Sequence, residues 1–135
     1  MPHLVVLYSP NLEAATDMRA LCRQLSQAML AQRDEAGRQL FPTGGTRVLA
    51  FAATHHVVAD GQDDYAFVYL NLRMAKGRSS AVQQQAGEDL IAAVRRHFAP
   101  IFETQLLGVT LQIDEGHEVF DAKHSNLHPL FAKPA

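Results

Sequence analysis

The chain has 135 residues, 47% of them hydrophobic and 19% charged, with a formal net charge of −2. That length suits one domain over residues 1–135 with a sizeable core, and the charge balance gives no support to a nucleic-acid or membrane-surface role. No apolar run approaches the roughly 20 residues of a membrane helix. The single Cys22 leaves no internal disulfide and no Cys-rich metal site, so a cytoplasmic protein is expected.

The chain opens with "MPHLVVLYSP". It lacks the basic n-region of a signal peptide. His3 to Tyr8 is a nearly continuous apolar run and reads as a buried strand. Ser9, Pro10 and Asn11 break it, and Asn11 is expected to cap a following helix. Met18, Leu21, Cys22, Leu25 and Met29 then recur at helical spacing, with Arg19, Arg23, Gln24 and Gln27 off the stripe. Cys22 reads as a core position rather than a reactive thiol. "FPTGG" is a loop, and "TRVLAFAAT" is a second strand.

"ADGQDD" is a turn-rich connector, with Asp60, Asp63 and Asp64 solvated. "YAFVYLNLRM" alternates: Tyr65, Phe67, Tyr69, Asn71 and Arg73 share one face, and Ala66, Val68, Leu70, Leu72 and Met74 the other. After the "AKGRSS" turn, Ser80 and Gln83 have capping-box spacing. A helix follows with Val82, Ala86, Leu90, Val94 and Phe98 inward, and Pro100 is expected to end it or to lie just beyond its end. "LLGVTLQI" is a fourth strand, with Leu107, Val109, Leu111 and Ile113 on one face.

The order predicts two βαβ units, residues 3–56 and 65–114, each long enough for a right-handed crossover. The two units can share one four-stranded mixed sheet with both helices on one face, an α+β architecture. The other face is partly apolar. Oligomerisation is the simplest way to cover it, and the tail, residues 115–135, is placed at the subunit interface.

Pro2 raises a question of its own. A small second residue lets an aminopeptidase remove Met1, which leaves Pro2 with a free secondary amine at the start of a strand. A competing reading is that Pro merely tolerates a first-strand position, where its missing N–H goes unused.

"MPH" at the start, "TR" opening the second strand, "ADGQDDYAFV", "GRS" before the second helix and "NLHPLF" near the end resemble the 5-carboxymethyl-2-hydroxymuconate isomerases of the tautomerase superfamily. The resemblance covers most of the chain. It implies homotrimers of double βαβ subunits, no cofactor, and an active site around an N-terminal proline, here Pro2. It also implies arginines that hold the carboxylates of a small, multiply carboxylated substrate, here Arg47 and Arg78. The second strand departs from the family pattern. Leu49, Ala52 and His56 occupy a region where tryptophans and a further arginine are common, and the chain has no Trp.

The chemistry fits those residue types. A keto–enol tautomerase moves one proton between oxygen and carbon, and its best base has a pKa near the working pH. Burial and nearby guanidinium groups both lower the pKa of a prolyl amine. Val5, Leu7 and the arginines could supply both effects. A planar guanidinium grips a carboxylate by two parallel hydrogen bonds. The seven histidines show no recognised ligand spacing, and no metal is expected. His55 and His56 point opposite ways on a strand, and His117, His124 and His128 are irregularly spaced. The expected activity is enol-to-keto tautomerisation of a carboxylated 2-hydroxydienoate in aromatic catabolism, with Pro2 as general base. The rival readings are a proline-based tautomerase or dehalogenase acting on another small carboxylate, and a non-catalytic trimeric binding protein.

Overall fold

The computed structural model describes residues 2–131. Strand β1 spans His3–Tyr8. Leu4, Val6 and Tyr8 are buried, whereas His3 and Val5 are half-buried and Leu7 is 44% exposed. The continuous apolar run of β1 therefore reflects one covered face and one open face, not burial on both.

Helix α1 spans Met18–Leu30. Its cap is Asp17, whose carboxylate accepts from the Ala20 N–H at 3.1 Å. Asn11, the expected cap, lies instead in a short 3₁₀ turn, Pro10–Leu12. Its amide donates to Asp64 Oδ1 at 2.9 Å and to the Tyr65 carbonyl at 2.8 Å, which fastens this turn to the entry of the third strand. Met18, Leu21, Leu25 and Met29 are buried as their spacing predicts, while Cys22 is only half-buried, at the edge of the stripe.

Strand β2 spans Arg47–Ala52 and strand β3 spans Ala66–Met74. Helix α2 spans Ser80–Phe102 and strand β4 spans Leu107–Glu115. The α2 cap is Ser79, one residue before the expected Ser80. Its hydroxyl accepts from the Val82 N–H at 3.2 Å. Gln83 turns away from the cap and donates to Glu115 Oε1 at 2.9 Å. Pro100 does not end α2 but lies inside it. A proline there forfeits one bond, to the carbonyl of Arg96. Both residues are exposed, so water can take that carbonyl.

The sheet order is β2-β1-β3-β4. β1 runs parallel to β2 and antiparallel to β3, and β3 runs parallel to β4. This is the expected α+β architecture, a four-stranded mixed sheet with two helices on one face. Leu4, Val6, Leu70 and Leu72 from the sheet meet Leu21, Leu25, Leu90 and Phe98 from the helices in one core. Each such side chain contributes roughly 1.5–3 kcal/mol by leaving water. On the opposite face Leu49 and Phe51 are 46% and 52% exposed. Among the described residues, no helix is long and apolar enough to cross a membrane.

The strand directions decide where chemistry can gather. The starts of β1 and β2 and the ends of β3 and β4 all lie at one end of the sheet.

Candidate active site

Pro2 is buried at that end, immediately before β1. Alternation continues through it: Pro2 is buried with Leu4 and Val6, and His3 faces the open side. His3 pairs with Arg47 of β2 on one flank and with Arg73 of β3 on the other. Directly paired residues share a face, so the imidazole sits between two guanidinium-bearing side chains. Burial, then Arg47 and Arg73, holds its pKa below the ordinary histidine value. His3 is therefore neutral at pH 7, able to donate one hydrogen bond.

His3, Arg47 and Arg73 line a cleft of about 500 Å³ together with the tail residues Glu118, Lys123 and His124. Arg47 Nη1 donates to the Gly45 carbonyl at 3.1 Å, in the 3₁₀ turn Thr43–Gly45 that leads into β2. The last described turn of the tail, His128–Phe131, packs on that turn.

Arg78 lies on the other side of the sheet end, in the loop between β3 and α2. Gly77 precedes it with φ +104°, a conformation that glycine adopts without strain. Arg78 Nη1 donates to the Ala75 carbonyl at 2.9 Å, and Nη2 to the Leu40 carbonyl at 3.3 Å. Its guanidinium carbon is 5.6 Å from the ring centroid of the fully buried Phe41, within cation–π range. Its Nε is buried and has no hydrogen-bond partner among the described residues. A bond from the Ser79 hydroxyl also holds the Glu35 carboxyl below its usual pKa. The loop after α1 and the loop before α2 are thus tied together at several points.

The fold brings Pro2, Arg47 and Arg78 to one end of the sheet, but from two sides. Continuing the β1–β3 register by one step sets Pro2 beside Met74, next to the Ala75 carbonyl that holds Arg78. Pro2 and Arg78 belong to the covered side, and Arg47 to the open side. His55 and His56 lie in the exposed β2–β3 connection, and His128 Nδ1 is 3.1 Å from the Ser125 hydroxyl in the tail. The placement of His3 and Arg73 at the cleft was not read from the sequence. Alternation gives Arg73 its face, but its position across from His3 depends on the β1–β3 register, which no local signal fixes.

A family model described as 5-carboxymethyl-2-hydroxymuconate isomerase matches residues 2–131. The chain is 34% identical over 131 residues to the 5-carboxymethyl-2-hydroxymuconate Delta-isomerase of Escherichia coli, covering 97% of this chain and 99% of that one. Among solved structures, it is similar to a 5-carboxymethyl-2-hydroxymuconate delta-isomerase with a TM-score of 0.95 and 54% identity, covering 100% of this chain and 95% of that one. It is also similar to a 5-carboxymethyl-2-hydroxymuconate isomerase from Deinococcus radiodurans R1, with a TM-score of 0.86 and 32% identity over 98% of this chain and 95% of that one.

Proposed function

The chain belongs to the 5-carboxymethyl-2-hydroxymuconate isomerase family and is an isomerase of that type; from that premise we propose that Pro2 is its general base and that Arg47 and Arg78 bind the substrate's carboxylates. The observation that carries this reading is the position of Pro2, buried at the sheet end between the strand that bears Arg47 and the loop that bears Arg78.

Removal of Met1 frees the Pro2 nitrogen as a secondary amine. Burial disfavours its ammonium form, and so do the two guanidinium groups, which brings its pKa toward neutrality. The neutral amine takes the proton from the 2-hydroxyl of a 2-hydroxydienoate. The electron pair of that O–H bond enters the conjugated system and gives a dienolate. The prolyl ammonium then returns a proton to carbon at the far end of the diene, and the product is a 2-oxo-3-enoate. One arginine clamps the carboxylate beside the reacting oxygen, and the other anchors a distant carboxylate. Arg78 suits a carboxylate clamp because its guanidinium is held by fixed backbone carbonyls before any ligand arrives.

The substrate is a small polycarboxylate of aromatic catabolism, and the protein works in the cytoplasm as a homotrimer. Leu7, Leu49 and Phe51 on the open sheet face supply the apolar surface that a trimer would cover, and the tail adds Phe120 and Leu130, 84% and 71% exposed. The test is ketonisation of 5-carboxymethyl-2-hydroxymuconate followed by absorbance. Rapid turnover that disappears when the amine is blocked is the expected result. Turnover indifferent to the blocked amine overturns the role of Pro2.

A further inference from the structure

We infer that Arg73, with His3 beside it, forms a further carboxylate subsite that selects a tricarboxylate over a dicarboxylate, and that Glu118 is its built-in competitor. The inference rests on the functional reading above. A muconate skeleton carries two carboxylates, and a carboxymethyl arm adds a third. Arg47 and Arg78 account for two of them.

Three cations line the open cleft: Arg47, Arg73 and Lys123. Lys123 is taken up by Asp121 at 2.5 Å. Arg47 reaches back to the Gly45 carbonyl. Arg73 meets Glu118 across 4.0 Å, too long for a hydrogen bond. Its planar fork is therefore not engaged by that carboxylate, although a carboxylate brought closer could take two bonds from it. His3 lies directly across from Arg73 and is held neutral, so it can donate to the same carboxylate without adding charge.

Gly116 leaves room for the Glu118 carboxylate beside Arg73. A Cβ at this position would stand 2.4 Å from Glu118 Oε1 and 3.1 Å from Arg73 Nε. The tail turns here, and the Gly116 N–H is fixed to the Met74 carbonyl at 2.8 Å. Glu118 thus hangs over Arg73 from an anchored turn, where a substrate carboxylate would bind, and is held loosely enough to be displaced.

Binding of two unreactive probes tests this apart from the chemistry at Pro2. One is the saturated tricarboxylate with the substrate's carbon skeleton. The other is adipate, which lacks the carboxymethyl arm. By calorimetry the parent protein should prefer the tricarboxylate. Arg73→Gln should weaken the tricarboxylate by about tenfold or more while leaving adipate unchanged, the effect expected when one charge-assisted pair is lost. Glu118→Gln should tighten the tricarboxylate, because a neutral amide competes poorly for a guanidinium. A merely structural ion pair would give the opposite sign or no change. Equal losses for both probes in Arg73→Gln, or weaker tricarboxylate binding in Glu118→Gln, overturn the inference. If Arg73→Gln does not fold, Glu118→Gln decides alone. Failure of Pro2 as a base would leave these probes unaffected.

Discussion

Arg78 reaches from the loop before α2 to the carbonyl of Leu40, 3.3 Å away, and so joins the two loops that flank the sheet end. The next residue, Phe41, lies fully buried beneath the guanidinium. Phe41→Leu removes the aromatic face and leaves a small void. It should destabilise the fold by about 1–2 kcal/mol in a denaturant titration. It should also raise KM for a carboxylated dienol more than it lowers kcat, since the clamp loosens while the base stays in place. An unchanged KM would mean that the ring does not position Arg78.

The two arginines should separate in stability although they agree in kinetics. Arg47→Ala and Arg78→Ala should each cut kcat/KM by about two orders of magnitude or more, the effect of losing a charge-assisted pair near developing charge. Arg78→Ala should in addition cost about 1–3 kcal/mol, because the Leu40 and Ala75 carbonyls lose their donor. Near-parental kinetics in both variants would remove these residues from the site.

The sheet elements were legible in the sequence because alternation in β3 and the apolar run of β1 are local patterns. The caps and the end of α2 were not. Asp17 took the place expected of Asn11, because Asn11 finds partners in Asp64 and Tyr65, more than fifty residues away. Pro100 stayed inside α2 because the bond it forfeits faces water. Resemblance singled out Pro2, Arg47 and Arg78, but the cleft that joins His3 to Arg73 needed the antiparallel pairing of β1 with β3. That pairing is a long-range contact with no signature in either strand alone.

His97 should make stability fall on the acid side. Its Nε2 is 2.7 Å from the Thr16 hydroxyl, and burial holds its pKa below the ordinary value, with Asp17 partly opposing. The unfolded chain therefore binds a proton more readily than the folded one. The contribution of His97 is fully present above the unfolded value near 6.5 and is lost as pH falls through the folded one. Thermal melts from pH 7 down to pH 5 should show a falling Tm, and His97→Gln should flatten that slope. An equal slope in the variant would assign the effect elsewhere.

Assembly should depend on the open face. Leu49→Asp or Phe51→Asp places a charge where a neighbouring subunit would pack, at positions already 46% and 52% exposed in one chain. Light scattering should give a trimer for the parent protein and smaller species for the variants, with helix content unchanged by circular dichroism. A parent protein that elutes as a stable monomer would contradict the trimer.

If the Pro2 amine moves the proton, kcat/KM should separate two forms that differ only at the N-terminus. One form begins at Pro2, and the other keeps a single residue ahead of it, each verified by intact mass. The first should show kcat/KM rising with pH through one ionisation near neutrality, since only the neutral amine accepts a proton. In the second the nitrogen is an amide with no basic lone pair. Turnover should collapse while circular dichroism and subunit assembly stay unchanged. If the extended form turns over 5-carboxymethyl-2-hydroxymuconate at the same rate and with the same pH profile, Pro2 only starts a strand and the base lies elsewhere.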